Sequence, residues 1–348
     1  MKNFSFIVPV YNCAAYIENC VEQIHKIGLE SYEIILINDG SKDDSDAVCR
    51  CLAEQYPEIV YLSQENQGVS AARNRGLEAA CGVYVIFLDA DDSIEHERMK
   101  AVIEVIQQHP ELDMALYGMS FDYYHKGKCY LRSCMGYAQE GRMSRAAWMA
   151  ALDELYACNN ISSVCNKIIR RQLLMDHDIR FDPKLFLYED LEFSLRLMTH
   201  CGEIYNTPTP IYHYRQSEDE GNAGRRLLRI PDLRQVIDPV ERALLALLGQ
   251  DRERVNGMLL RLYAVLVREK VNVSDGRMIR EIGMHLKEWL QEHKIELGAL
   301  LEKSQWDYLK LVMDHKTTQL RLRRFYIAKK HKLAVAVKST VLYQKLRK

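Results

Sequence analysis

Glu33-Ile34-Ile35-Leu36-Ile37-Asn38-Asp39-Gly40-Ser41 is the stretch that decides the fold. A strand with one wet face alternates apolar and polar residues. An unbroken run such as Ile34-Ile35-Leu36-Ile37 is what a strand covered on both faces requires. The run ends within one residue and gives way to the polar Asn38-Asp39-Gly40-Ser41. The same arrangement recurs on either side. Phe4 to Val10 is an apolar strand followed by Tyr11-Asn12, and Val83 to Leu88 is another, followed by Asp89-Ala90-Asp91-Asp92. Between these strands lie helical patterns: Tyr16 to Ile27 with Ile17, Val21 and Ile24 in register, Asp43 to Tyr56, and Val69 to Ala80. A further strand spans Ile59 to Leu62, and a helix runs through Ile103 and Ile106. Strands alternating with helices predict an α/β fold, a mostly parallel sheet flanked by helices. In such sheets ligands bind beyond the carboxyl ends of the strands, where all three polar stretches fall.

From about Asp113 the pattern becomes mixed. A hairpin is expected over Met119 to Leu131 and a helix over Arg145 to Tyr156. Asn166-Lys167-Ile168-Ile169-Arg170-Arg171 follows, and Tyr188-Glu189-Asp190 opens a helix that ends near Gly202. Beyond Ile230 the spacing of Val255, Met258, Leu259, Leu262, Val265 and Leu266, and of Ile279, Ile282, Leu286 and Trp289, is helical. The expected organisation is a domain over 1–228, divided near 112, and a helical C-terminal region over 229–348. The polar, Gly-containing stretch Gln216 to Arg226 joins them.

The 348 residues carry a formal net charge of -1, which gives no general affinity for nucleic acid. That balance conceals a basic tail. After Asp314 there is no acidic residue, and Lys and Arg recur to Lys348 with apolar residues between them. This mixture suits the face of an anionic membrane, or equally a solvated end. The ten cysteines include no paired CxxC knuckles, so reduced thiols are expected. The first residues lack the basic and apolar regions of a signal peptide, and no run of about twenty apolar residues exists. The protein is expected in the cytoplasm.

Asp89, Asp91 and Asp92 place three carboxylates within four residues. Such a group repels itself unless a cation intervenes, and hard oxygen ligands suit Mg²⁺ or Mn²⁺. The alternative is a solvated turn in which Asp92 or Ser93 caps a helix starting at Ile94. Asp39 is placed to accept a hydrogen bond from a base or a ribose, or simply to make an Asp-Gly turn, with Gly40 allowing a sharp reversal. Gly68 enters a helix of small residues that suits close packing on the sheet or on a ligand. Arg73 in that helix suits phosphate, or a surface ion pair. Glu189-Asp190 complements a helix N-terminus. Next to Leu185, Phe186 and Leu187 it is also partly desolvated, as a general base needs. His213 and Arg215 suit a loop over a pyrophosphate or a structural strand.

Val8-Pro9-Val10-Tyr11-Asn12, Asn38-Asp39-Gly40-Ser41, Gly68 to Asn74, Phe87 to Asp92 and Glu189-Asp190 together resemble, in order and spacing, the family 2 glycosyltransferases. The resemblance covers about the first 200 residues. It extends to Asn166-Lys167 with Arg170-Arg171, as in bacterial cell-surface polysaccharide members. It implies a GT-A fold, a nucleotide-sugar donor (commonly a UDP-sugar), Mn²⁺ or Mg²⁺ and inversion at the anomeric carbon. By motif match, Pro9, Val10, Tyr11, Asn12, Asp39, Gly68, Arg73, Asp89, Ala90 and Asp91 line the nucleotide-sugar site. Asp91 and Asp92 fall at the metal, and Asp190 is the catalytic base. Glu189, Lys167 and Arg215 are secondary candidates. The acceptor implied is a glycan or lipid-linked saccharide. Asn38 stands where many members have a second Asp, and Glu218-Asp219-Glu220-Gly221 replaces the usual basic stretch after Arg215.

Two other functions fit an α/β core. A sugar-nucleotide nucleotidyltransferase needs a Gly-rich basic loop after the first strand, and Val10 to Ala15 contains no glycine. A non-catalytic scaffold derived from an enzyme is expected to lose its carboxylates, whereas Asp89, Asp91, Asp92 and Asp190 are all present.

Overall fold

The computed structural model describes residues 2–125, 128–217, 234–273, 276–292 and 313. Most of the joining stretch expected at 216–226 and the whole basic tail after Asp314 lie outside these residues. The chain forms two compact units, one of Met1–Tyr123 with Arg132–Ser217 and one of Tyr124–Leu131 with Glu218–Lys348.

In chain order the elements begin with β1 (Phe4–Val10), α1 (Ala14–Lys26), β2 (Tyr32–Asp39), α2 (Ser45–Gln55), β3 (Ile59–Gln64), α3 (Val69–Ala79) and β4 (Tyr84–Phe87). They continue with β5 (Ser93–Ile94), α4 (His96–Gln108), β6 (Met114–His125), β7 (Lys128–Met135), β8 (Gly141–Met143), α5 (Arg145–Ala150) and α6 (Leu152–Ala157). Then follow β9 (Lys167–Arg170), α7 (Arg171–Asp176), α8 (Glu189–His200) and β10 (Ile204–Ser217). The sheet order is β3-β2-β1-β4-β9-β6-β10-β5, with β7 on β6 and β8 on β10. The first four strands are parallel, with Val10 opposite Asn38 and Ile7 opposite Phe87. Beyond them β9 runs antiparallel to both β4 and β6, so the sheet is mixed rather than parallel throughout. Strand β1 lies where the order reverses: β2 follows on one side and β4 on the other. This is the switch point at which α/β sheets bind ligands.

Ile34 to Ile37 are fully buried, as their unbroken run requires. Helix α1 turns Ile17, Cys20, Val21 and Ile24 inward, the 3.6-residue spacing read as amphipathic. The small residues of α3 serve close packing on the sheet. A Cβ on Gly76 would meet Ile7 Cγ2 at 2.4 Å and Ile37 Cδ1 at 2.8 Å. One sequence alternative falls here: no helix starts at Ile94. Ser93 and Ile94 form β5, pairing with His213 and Tyr212 of β10, and α4 begins at His96.

In the second unit α9 (Arg234–Leu248), α10 (Arg252–Val273) and α11 (Gly276–Glu292) form the expected helical region. Val255, Met258, Leu259, Leu262, Leu266, Leu286 and Trp289 are buried, and Tyr263 meets Trp289 at 4.7 Å between ring centroids.

Candidate functional site

The ends of β1, β2 and β3 are tied together by their own polar residues. Asn12 takes a left-handed conformation at φ 51°, which asparagine tolerates better than most residues. Its N–H donates to Ser41 Oγ (3.1 Å), and Lys42 N–H donates to Asn12 Oδ1 (2.7 Å). Asp39 is buried. Its Oδ1 accepts from Gln64 Nε2 (2.8 Å) and Gln67 N–H (2.9 Å), and its Oδ2 accepts from Gly68 N–H (2.8 Å). The carboxylate therefore holds the start of α3 against the sheet. Gly40, at φ 68°, passes so close to Asn66 that a Cβ would stand 2.7 Å from its nitrogen. Asn38 is engaged as well, accepting from Ser41 N–H and donating to Asp46. Around this frame Val10 is buried, Pro9 half-buried, and the Tyr11 ring half exposed at the crevice.

The centre of the site is an arginine between two acids. Arg73, on α3 and almost wholly buried, donates Nη2–H to Asp89 Oδ1 (2.8 Å) and Nη1–H to Asp190 Oδ1 (2.6 Å). Its guanidinium lies 5.4 Å from the Phe181 ring centroid. Burial works against its charge, but Asp190 and Asp89 hold it well above the usual arginine range. The next residue, Asn74, makes a reciprocal pair with the backbone of Phe181, donating to its carbonyl and accepting from its N–H, each at 2.8 Å. Phe181 stacks on Phe193 of α8 at 4.1 Å and meets Phe87 at the end of β4 edge-on at 5.3 Å. These apolar contacts fix where α8 begins.

Asp190 is the second residue of α8, after the half-buried Glu189, in a first turn whose free N–H groups favour anions. Its Oδ2 accepts from Val164 N–H at 3.3 Å. Burial raises the Asp190 carboxyl above the ordinary carboxylate range, Arg73 pulls it down, and Asp89 adds to the rise. At the end of β4 the side chains diverge. Ala90 is buried, Asp91 is exposed, and Asp92 is buried. Asp92 accepts from the Tyr212 hydroxyl and, at 2.7 Å, from Arg215 N–H. Burial, then the charges of Asp89 and Asp91, raise its carboxyl well above the usual range. The Arg215 guanidinium lies 5.2 Å from the Tyr16 ring centroid. His213 lies between Ser120 Oγ (2.6 Å) and Glu95 Oε1 (3.2 Å).

Residues 5–177, which carry these strand ends and the acids after β4 but not Asp190, are matched in sequence by the family described as Glycosyl transferase family 2. The chain belongs to that family. Among its relatives, the minor teichoic acid biosynthesis protein GgaB of Bacillus subtilis is 30% identical over 225 residues, 64% of this chain and 24% of GgaB. The putative glycosyltransferase EpsH of the same organism is 29% identical over 229 residues, 61% of this chain and 60% of EpsH. The chain thus matches a quarter of the length of one and three fifths of the other. In fold it resembles S. aureus TarS 1-349 in complex with UDP, with a TM-score of 0.63 at 20% identity, covering 92% of this chain and 89% of that one. The expected GT-A architecture is therefore present, with helices following it.

Several of the expected site residues carry partners that spacing alone does not reveal. Arg73, assigned by resemblance to the diphosphate, has its two outer nitrogens on Asp89 and Asp190. Asn74 closes the Gly68–Asn74 motif, but its hold on Phe181 has no sign in the sequence, and neither does the hold of Tyr212 on Asp92. The sequence shows Tyr212 only as part of Tyr212-His213-Tyr214 on a strand. The acids suit a divalent cation by donor type: Asp91 is exposed, and Asp92 lies beside it among like charges. Among the described residues no three acidic, histidine or cysteine groups converge as a complete cation site. An ion held here would draw its remaining ligands from phosphate oxygens and water, as Mg²⁺ usually does.

Proposed function

We propose that this family 2 chain is an inverting glycosyltransferase. It moves a sugar from a nucleoside diphosphate donor, UDP above all, to a hydroxyl of a glycan or lipid-linked acceptor in cell-surface polysaccharide synthesis. The observation that carries the proposal is the Asp89–Arg73–Asp190 bridge. It holds a carboxylate of raised basicity at a set distance from the acids at the end of β4. GgaB is named for teichoic acid biosynthesis and TarS is described in complex with UDP, which supports the polymer class and the donor.

In the proposed reaction Asp190 accepts the proton of the acceptor hydroxyl while that oxygen attacks the anomeric carbon. The bond from this carbon to the diphosphate oxygen breaks, and the nucleoside diphosphate leaves with the electron pair. The proton stays on Asp190 until solvent removes it. Because attack and departure lie on opposite sides of the carbon, the configuration inverts. Asp91 and Asp92 would hold Mn²⁺ or Mg²⁺, which when bound supplies positive charge against the leaving diphosphate. Tyr212 and the Arg215 N–H keep Asp92 oriented, and Arg73 orients Asp89. Tyr11 offers an exposed ring beside the crevice for the base.

A thermal-shift series of nucleoside diphosphates with and without Mn²⁺ tests the donor. UDP is expected to raise Tm only when the metal is present. At 100 times its Kd it should add about 2.7 kcal/mol of stability. Silence across the series, in folded protein, would favour a non-catalytic binding role.

Among the described residues no helix is long and apolar enough to cross a membrane. The basic tail is proposed to hold the protein on the anionic cytoplasmic face of the cell membrane. Removing residues 316–348 should then abolish sedimentation with phosphatidylglycerol vesicles; equal sedimentation with and without the tail would end the idea.

A further inference from the structure

The most unusual buried group in the first unit is Lys167. It lies on β9, opposite Leu116 of β6, with no solvent exposure. Taking an ammonium out of water costs several kcal/mol even after relaxation, and an apolar side chain of similar length fills such a place more cheaply. Its presence there therefore directs attention to its contacts. The Nζ donates to the carbonyls of Asn160 (3.3 Å), Ile161 (3.2 Å) and Ser163, and to Asn166 Oδ1 (2.9 Å). Three of these acceptors are main-chain oxygens of the segment that joins α6 to β9, so this segment is wrapped around the ammonium.

The same segment supplies the Val164 N–H that donates to Asp190 Oδ2. It is held from its other side too. Asn166 Nδ2 donates to the carbonyls of Tyr117 and Asn160, the Tyr117 hydroxyl donates to the Cys165 carbonyl, and Asn160 Nδ2 donates to Asn206. Asp190 is thereby gripped at one oxygen by Arg73 and at the other by a loop whose turn is centred on Lys167. Charge agrees with geometry: Asp89 and Asp190 face Arg73, and Asp190 is the carboxylate that most favours the lysine charge. Burial nonetheless lowers the Lys167 amine to about 7.

We propose that Lys167 is a positioning residue for the base: it shapes the 160–164 loop so that Val164 N–H and Arg73 together fix the Asp190 carboxylate towards the acceptor hydroxyl. The proposal rests on Asp190 being the base.

The test uses the full chain carrying Lys167→Met, and Lys167→Gln, which keeps two N–H donors. Binding is read with UDP and Mn²⁺, and turnover by hydrolysis of the UDP-sugar that most stabilises the wild type. Lys167→Met is expected to lower kcat about a hundredfold, the scale of a misplacement near 1 Å. Donor KM and the stoichiometry of UDP binding should stay at wild-type values, and Lys167→Gln should fall between. A merely architectural lysine would instead lose UDP-binding stoichiometry and kcat in proportion. That result, an unchanged kcat, or failure of both variants to fold would overturn the proposal. The base reading is judged separately: wild-type turnover in Asp190→Asn removes it, whereas an inactive Asp190→Asn beside fully active Lys167 variants removes only the positioning role.

Discussion

Asp190→Asn is expected to lower turnover by about 10³-fold, within the range that general-base catalysis contributes, while UDP binding with Mn²⁺ is retained. The asparagine keeps the shape of the carboxylate and an oxygen for Arg73, and Asp89 still balances the guanidinium, so the fold around the bridge survives. What it loses is the capacity to take a proton. The pH dependence of the wild type supplies a second check. The base works as the anion, and burial raises the Asp190 carboxyl despite Arg73. Activity should therefore fall on acidification with a midpoint above the ordinary carboxylate range, and this acid limb should be missing from any residual rate of the variant. A variant that turns over at more than a tenth of the wild-type rate would show that the proton goes elsewhere.

Arg73→Met should be the most destabilising single change at the site. The methionine fills much of the space beside Phe181 but leaves Asp89 and Asp190 facing each other without a cation. Breaking a buried ion pair by removing one partner costs about 3–5 kcal/mol. For a domain of this size each kcal/mol shifts Tm by roughly 2–4 °C, so a fall of roughly 6–20 °C is expected. Turnover should also drop, because both acids lose their orientation. Arg73→Lys recovers little of this, since a single ammonium does not reproduce a planar fork that reaches two carboxylates at once. A loss of less than 2 °C in Arg73→Met would mean that the bridge is not what joins these elements.

These expectations show where one-dimensional reading succeeds and where it stops. The buried strands were legible because Ile34 to Ile37 and Phe4 to Val10 admit no wet face. Their carboxyl ends were legible because the polar residues begin at once after them. The helical C-terminal region followed from the spacing of Val255 to Leu266. Partners distant along the chain were not legible. Arg73 has two sensible local fates, a phosphate or a surface ion pair, and its observed partners lie 16 and 117 residues away. Asp39 reads either as an acceptor for a base or ribose or as part of an Asp-Gly turn, and its bonds from Gln64, Gln67 and Gly68 were not legible, two of them coming from backbone N–H groups that carry no side-chain signature. Two strands of the antiparallel half were not legible either. β5 and β9 are two and four residues long, too short for a period to declare itself.

Arg73 and Asn74 are neighbours in sequence, and each reaches across to a different point in residues 181–190. Evolution by recombination meets a constraint here. A crossover placed between α3 and α8, for instance to give this chain another relative's later half, separates the two sides of a lock that closes again only where the incoming half supplies an acid for Arg73 and a backbone at 181 within reach of Asn74. Exchanges that carry 73–74 along with 181–190, or leave both behind, keep it intact without that condition. New specificities should therefore arise more readily by altering the intervening loops than by trading the two halves whole.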